Sequence, residues 1–314
     1  MSSITVDGLT RRFGDLIAVD HLSFDVKEGE IFGMLGPNGA GKTTTIRMLA
    51  CLISPSEGSA IIEGHDIVSD SIKIRQIVGI LTETQSLYER LTVYENMAFF
   101  SEAYGVSNTD HRRERIGELL EFFDLWERRG HPVGTLSRGM KQKLAMARAL
   151  VHNPSVLFLD EPTVGLDPEA SRMIRDLIQK LSQHQKCTVL LCTHRLEDAE
   201  RLCSRVMIVN RGRNMITGTP QELGERIAGR RTLEITLREL SESVIEAARA
   251  SRHVEAVDVN NLESKLLVTA DDLDSITPEI VKDLVSAGGL ITGVNITRPS
   301  LEDAYLSLIR EGPT

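Results

Sequence analysis

The chain has 314 residues and a formal net charge of -9, with 41% hydrophobic, 26% charged and 4% aromatic residues. That length exceeds one ordinary core and points to two domains, while the acidic balance and scarce aromatics argue against a general nucleic-acid binder, which needs a basic face and stacking platforms. No stretch approaches the ~18 consecutive apolar residues of a membrane helix.

The opening MSSITVDGLTRRFGD lacks the apolar core of a signal peptide, so an intracellular chain is expected. Cys51, Cys187, Cys192 and Cys203 show neither C-x-x-C spacing nor a histidine at zinc-finger distance, and read as reduced, buried thiols.

In chain order, ITVDGLTRRFG and IAVDHLSFDVKEGE read as N-terminal strands. The apolar run IFGMLG then leads through a Gly-rich loop into a helix, TTTIRMLACL, the start of an α/β unit. GSAIIEGHDI is a second short β region. From about Leu91 the pattern turns helical. Thr92 and Glu95 form a capping box, and Ile116, Leu119, Leu120 and Phe123 recur at helical spacing as core positions. A helix after Gly139 runs to His152 and stops at Asn153-Pro154. SVLFLDEP, a long helix near Glu169 to Gln183, and CTVLLCTH follow; two apolar runs separated by a helix imply parallel strands covered on both faces. ERIAGRR, near Gly224–Arg231, breaks the pattern and divides residues 1–224 from 231–314. Beyond it the order is strand, helix, strand, strand, helix, strand, a small ferredoxin-like βαββαβ module, then a last helix, SLEDAYLSLIR.

Four places carry chemistry. GPNGAGKT, Gly36 to Thr43, matches G-x-x-x-x-G-K-[ST] between a strand and a helix. Gly36, Gly39 and Gly41 let the backbone through Pro37, Asn38, Ala40 and on to Thr44 turn its N–H groups toward phosphate oxygens. Lys42 supplies a cation to the β/γ-phosphates and the Thr43 hydroxyl a ligand to Mg²⁺. In VLFLDEP, Asp160 and Glu161 emerge where a buried strand ends, Asp160 fit for an outer contact to Mg²⁺ and Glu161 for the base that polarises water. His194 ends another strand, placed for a γ-phosphate contact. Ser137 and Gly139, in GTLSRGMKQKLAMARAL, stand at a helix start, which is a second anion site.

GPNGAGKT, LSRGM, VLFLDEP, GLD and a strand-terminal His, in this order, resemble the nucleotide-binding subunit of ABC transporters over about residues 4–222. The resemblance implies an α/β fold: a P-loop core with an inserted helical subdomain (about 87–152) and an N-terminal antiparallel β region. That makes residues 1–224 an ATP-binding domain and leaves 231–314 as an accessory or regulatory one. It implies an ATPase using ATP and Mg²⁺, with two copies packed head to tail so that Ser137, Arg138 and Gly139 of one cap the γ-phosphate held by the other. It also implies adenine stacking on Phe13 and communication across the dimer by Asp167.

This chain departs from the family's LSGGQ at Arg138 and Met140, and has Glu83 where the family has a Mg²⁺-binding glutamine, Gln85 being a weaker substitute. Those departures, with SLYERLTVYEN and RPSLEDAYL, resemble the ABC-2 and drug-resistance exporter branch. Its ATPases are cytoplasmic, peripheral on the inner face of the cell membrane, and drive a multi-span permease; Glu83 to Asn96 is the expected permease contact. A soluble ABC-type ATPase in a non-transport role and a nucleotide-gated scaffold are the alternatives, separated by co-purification with a multi-span protein and by steady ATP turnover.

Overall fold

The computed structural model describes residues 2–82, 84–106, 108–228, 232–260, 262–270, 272–297 and 301–311. The chain divides into two compact units, Met1–Thr219 and Pro220–Thr314.

In the first unit β1 (Ser2–Phe13) pairs antiparallel with β2 (Leu16–Lys27), and β3 (Ile31–Leu35) leads to α1 (Lys42–Leu49). Then come β4 (Glu57–Ile62), β5 (His65–Asp66), α2 (Ser71–Ile77) and β6 (Val78–Leu81). The helical part holds α3 (Val93–Ala103), α4 (Thr109–Phe122) and α5 (Arg138–Leu150). β7 (Val156–Asp160), α6 (Pro168–Gln185), β8 (Thr188–Thr193), α7 (Leu196–Leu202), β9 (Arg205–Asn210) and β10 (Arg213–Gly218) complete the unit.

One sheet is antiparallel, in the order β2-β1-β4-β5. The other runs β10-β9-β3-β8-β7-β6, parallel from β9 to β6 with β10 antiparallel at its edge. β3, β7 and β8 are buried at every position, which is why their sequences are apolar without alternation. The core joins both sheets through α1: Ile4, Leu9 and Leu22 share it with Ile46 and Met48 and with Phe32, Phe158 and Leu190.

The capping box forms, with Thr92 N–H donating to Glu95 Oε2 at 2.8 Å and Glu95 N–H to Thr92 Oγ1 at 3.1 Å. Ile116, Leu119, Leu120 and Phe123 are core residues, all at most 6% exposed. Helix α5 ends two residues before His152. Strands β6, β9 and β10 go unassigned in the sequence, as do α2 and α7: four to seven residues give too few periods to identify a type.

His152 stacks on Tyr104, ring centroids 3.9 Å apart, and its Nε2 lies 3.2 Å from the Val78 carbonyl. A carbonyl only accepts, so Nε2 carries the proton. Burial lowers its pKa from 6.5 to about 4. A depressed histidine stabilises the fold while it stays neutral, and that contribution drains away as pH falls from about 6.5 toward about 4. The parent should therefore lose more stability over that window than His152→Phe, by up to about 3 kcal/mol. Parallel acid titrations of the two melting curves check it; coincident losses would refute it.

The second unit holds α8 (Pro220–Ala228), β11 (Thr232–Leu237), α9 (Glu242–Ala250), β12 (Ala256–Asn260), β13 (Lys265–Thr269), α10 (Leu273–Ser286), β14 (Ile291–Thr297) and α11 (Leu301–Glu311). Its sheet is antiparallel in the order β12-β13-β11-β14, the ferredoxin-like arrangement. Alternate residues Leu233, Ile235 and Leu237 face Val244 and Ala248 of α9 and Ile276, Ile280 and Leu284 of α10. Helix α10 begins at Leu273, capped by Asp272 accepting Ser275 N–H at 3.3 Å, so Pro278 lies inside the helix and does not open it.

Candidate functional site

β8 lies between β3 and β7 in the parallel sheet, so the loops leaving all three open at one edge, where ligands bind in such sheets. Asn38 to Thr44, Phe13, Arg138, Asp160, Glu161 and His194 line one cleft of about 1160 Å³ there.

Its floor is the loop from β3 to α1. Gly41, at the N-cap of α1, has φ 103° and no side-chain cap, and an added Cβ would lie 2.5 Å from the Ala18 carbonyl. Only glycine fits, and the first-turn N–H groups of α1 stay open to an anion. A Cβ on Gly36 would lie 2.3 Å from the Val209 carbonyl, so β9 closes the loop from behind. Lys42, 7% exposed, donates from Nζ to the carbonyls of Gly36 at 2.6 Å and Pro37 at 3.1 Å.

The acids come from β7. Thr43 Oγ1 donates to Asp160 Oδ2 at 2.6 Å across 117 residues of sequence. This pairs two hard oxygen donors beside the phosphate loop, a set that suits Mg²⁺. Glu161 has φ 53°, sparsely populated for a side-chain-bearing residue. The turn is held by its N–H donating to Cys192 O at 2.9 Å. Its Oε1 lies 2.7 Å from His194 Nδ1 and accepts the His194 N–H at 2.9 Å, while Oε2 accepts Thr193 Oγ1 at 3.1 Å.

Phe13, 46% exposed at the end of β1, carries the Arg11 guanidinium 4.6 Å from its ring centroid. Ser137, Gly139 and Asp167 are not among the cleft-lining residues. Ser137 is exposed and caps α5, its Oγ accepting Met140 N–H at 3.3 Å. Arg138 passes so close to Gly165 that a Cβ there would lie 2.9 Å from Arg138 Nε. Asp167 caps α6, accepting Ala170 N–H at 2.8 Å. Glu83 lies outside the described residues. Gln85 lines the cleft and donates to Gln142 Oε1 at 3.1 Å.

Two residues of α5 escape a sequence reading. Gln142 also donates to Pro162 O at 3.2 Å, joining Gln85 to the turn after Glu161. Arg148, 5% exposed, donates to the carbonyls of Gln85 (3.0 Å), Ser86 (2.9 Å) and Ile80 (3.3 Å), with Phe100 4.9 Å below its guanidinium. Burial lowers its pKa. The signal was there: one arginine in the apolar run LAMARAL.

The family profile described as ABC transporter matches residues 19–164. The linearmycin resistance ATP-binding protein LnrL of Bacillus subtilis (strain 168) is 32% identical over 305 residues, 97% of each chain. The daunorubicin resistance ATP-binding protein DrrA3 of Streptomyces coeruleorubidus is 36% identical over 307 residues, 98% of this chain and 96% of that one. A dimeric ATP-binding cassette solved in a post-hydrolysis state with ADP and Pi superposes at a TM-score of 0.64, with 28% identity, covering 69% of this chain and 98% of its own.

Proposed function

The chain belongs to the ABC transporter family as an ATP-hydrolysing, ATP-binding subunit, and on that premise we propose how its residues divide the work. Two copies close head to tail on two ATP molecules. Each nucleotide lies on one copy's phosphate loop and beneath Ser137, Arg138 and Gly139 of the other. By the two-fold symmetry every contact occurs twice. The observation that carries this reading is that Ser137 is exposed and, with Gly139, is not among the residues lining its own chain's cleft, although Arg138 between them is.

In each site the N–H groups of Gly39 to Thr44 and the Lys42 cation bind the phosphates, and Phe13 stacks on the adenine. Thr43 and Asp160 would hold Mg²⁺, with Glu83 as the third ligand the family pattern offers and Gln85 as the weaker substitute; the ion supplies neutralisation of phosphate charge when bound. Glu161 takes the proton of the attacking water, and His194 orients that carboxylate and contacts the γ-phosphate. Asp167 communicates between the copies. ATP binds the closed pair more tightly than the open one, so binding closes it and hydrolysis reopens it.

We assign the work driven by this cycle to an exporter: a multi-span permease of the ABC-2 type, on whose cytoplasmic side the subunit docks, at the inner face of the cell membrane. Among the described residues no helix is long and apolar enough to cross a membrane. Supporting a docking role for Glu83 to Asn96, Tyr88 is 49% exposed and packs edge-on against Phe99, itself 46% exposed, at 4.9 Å. The 231–314 domain reinforces the dimer.

Ser137→Arg tests the arrangement. It should suppress hydrolysis while the isolated subunit binds ATP with parental affinity, read by titrating a fluorescent ATP analogue. Loss of binding by the monomer would show that Ser137 serves its own chain's site.

A further inference from the structure

Among the described residues, one nearly inaccessible carboxylate beside the hydrolytic turns has no task in the machinery described so far. Asp198, on α7, is 1% exposed. Its Oδ2 accepts Thr163 Oγ1 at 2.6 Å, its Oδ1 accepts Arg175 Nη1 at 2.8 Å, and Arg195 Nε stands 3.7 Å from Oδ2. Arg195 Nη1 also donates to Thr163 Oγ1 at 3.4 Å. None of these four residues lines the nucleotide cleft.

Their places in the chain are informative. Thr163 lies two residues after Glu161, Arg195 follows His194, and Arg175 belongs to α6, the helix that Asp167 caps. The cluster also reaches the carboxylate itself: Arg195 N–H donates to Thr193 Oγ1 at 3.0 Å, and Thr193 Oγ1 donates to Glu161 Oε2 at 3.1 Å. A buried ion pair stabilises little compared with apolar residues of the same size, and its best-attested use is registry between elements. Here the elements in register are the Glu161 turn and the His194 turn.

We infer that Asp198 is a positioning residue for hydrolysis, which locks the loop after β7 to the loop after β8 so that Glu161 and His194 meet at hydrogen-bond distance. The inference rests on Glu161 being the base. Misplacing a reacting group by ~1 Å costs on the order of 10²-fold in rate. Asp198→Asn keeps the shape, removes the charge and leaves two guanidinium groups without their counter-ion. Its kcat should fall ~10- to 10²-fold, while KM for ATP stays within about twofold, because the phosphate loop is untouched.

Thr163 gives the second arm, which decides the matter if Asp198→Asn does not fold. Thr163→Val deletes the 2.6 Å bond at constant volume and should lower kcat with KM held; Thr163→Ser restores the hydroxyl and should restore kcat. In the double variant Thr163→Val/Asp198→Asn the losses should not add, since both break one network. All rates are normalised to folded protein. Parental kcat in Thr163→Val, or KM rising as kcat falls, would overturn the inference. Glu161→Gln is run alongside. If it is inactive while Thr163→Val is fully active, only the positioning role fails; if it is active, the base assignment fails and takes this inference with it.

Discussion

Glu161→Gln is expected to slow ATP hydrolysis by ~10²–10⁴ and to leave the protein as an ATP-held dimer on a sizing column. The substitution is close to isosteric. Gln keeps one oxygen, which can accept the His194 N–H in place of Oε1, now at 2.9 Å, while its amide NH2 in the place of Oε2 can donate to the Thr193 hydroxyl oxygen, now at 3.1 Å, so the left-handed turn at φ 53° keeps side-chain supports. What Gln lacks is basicity: an amide cannot take the proton of the attacking water. Binding and chemistry therefore separate. ATP still closes the pair, and without hydrolysis nothing reopens it, so the closed dimer accumulates. Steady-state turnover and gel filtration with ATP read the two halves. Hydrolysis at the parental rate would remove Glu161 from the role of base.

Lys42→Met carries the other large effect, on nucleotide affinity. Lys42 is almost fully buried, and its ammonium is held by two loop carbonyls, Gly36 O and Pro37 O. Among the described residues its ammonium hydrogen-bonds to these carbonyls and to no carboxylate, so the cation stays available to an incoming anion. Methionine fills similar volume but offers neither charge nor donor. Hydrogen bonds to a charged group are worth ~1.5–3 kcal/mol, so the ATP affinity of the isolated subunit should drop ~10- to 10²-fold, and hydrolysis with it. Titration with a fluorescent ATP analogue measures the drop, and a circular dichroism spectrum matching the parent's excludes unfolding. Parental affinity in a folded Lys42→Met would mean that the backbone N–H groups of the loop bind the phosphates alone.

These two experiments address residues that the sequence names by itself, because their signals are local. A phosphate loop needs glycines at set spacing so that consecutive N–H groups face one way, and GPNGAGKT records that need in eight letters. The Thr92–Glu95 capping box and the helical spacing of Ile116, Leu119, Leu120 and Phe123 are local in the same sense. So is the βαββαβ order of the second unit. Apolar runs identified β3, β7 and β8 because strands covered on both faces cannot alternate.

Contacts between residues far apart in the chain were decided only by tertiary structure. Nothing in the sequence says that β8 inserts between β3 and β7, yet that order brings His194 to Glu161, 33 residues away, and Asp160 to Thr43, 117 residues away. The short strands β6, β9 and β10 owe their existence to partners, since one strand cannot satisfy its own backbone. Arg148 and Asp198 are the clearest cases. In sequence Arg148 is a lone charge in an apolar helical run with no partner named, and Asp198 falls in a segment with no assigned element; in the fold each is buried, and each ties a loop of the cleft to a helix behind it. The physical reason is that a motif records the backbone geometry of neighbours, whereas the fate of a charge depends on which distant groups desolvate and pair with it, and that is known only once the chain has folded.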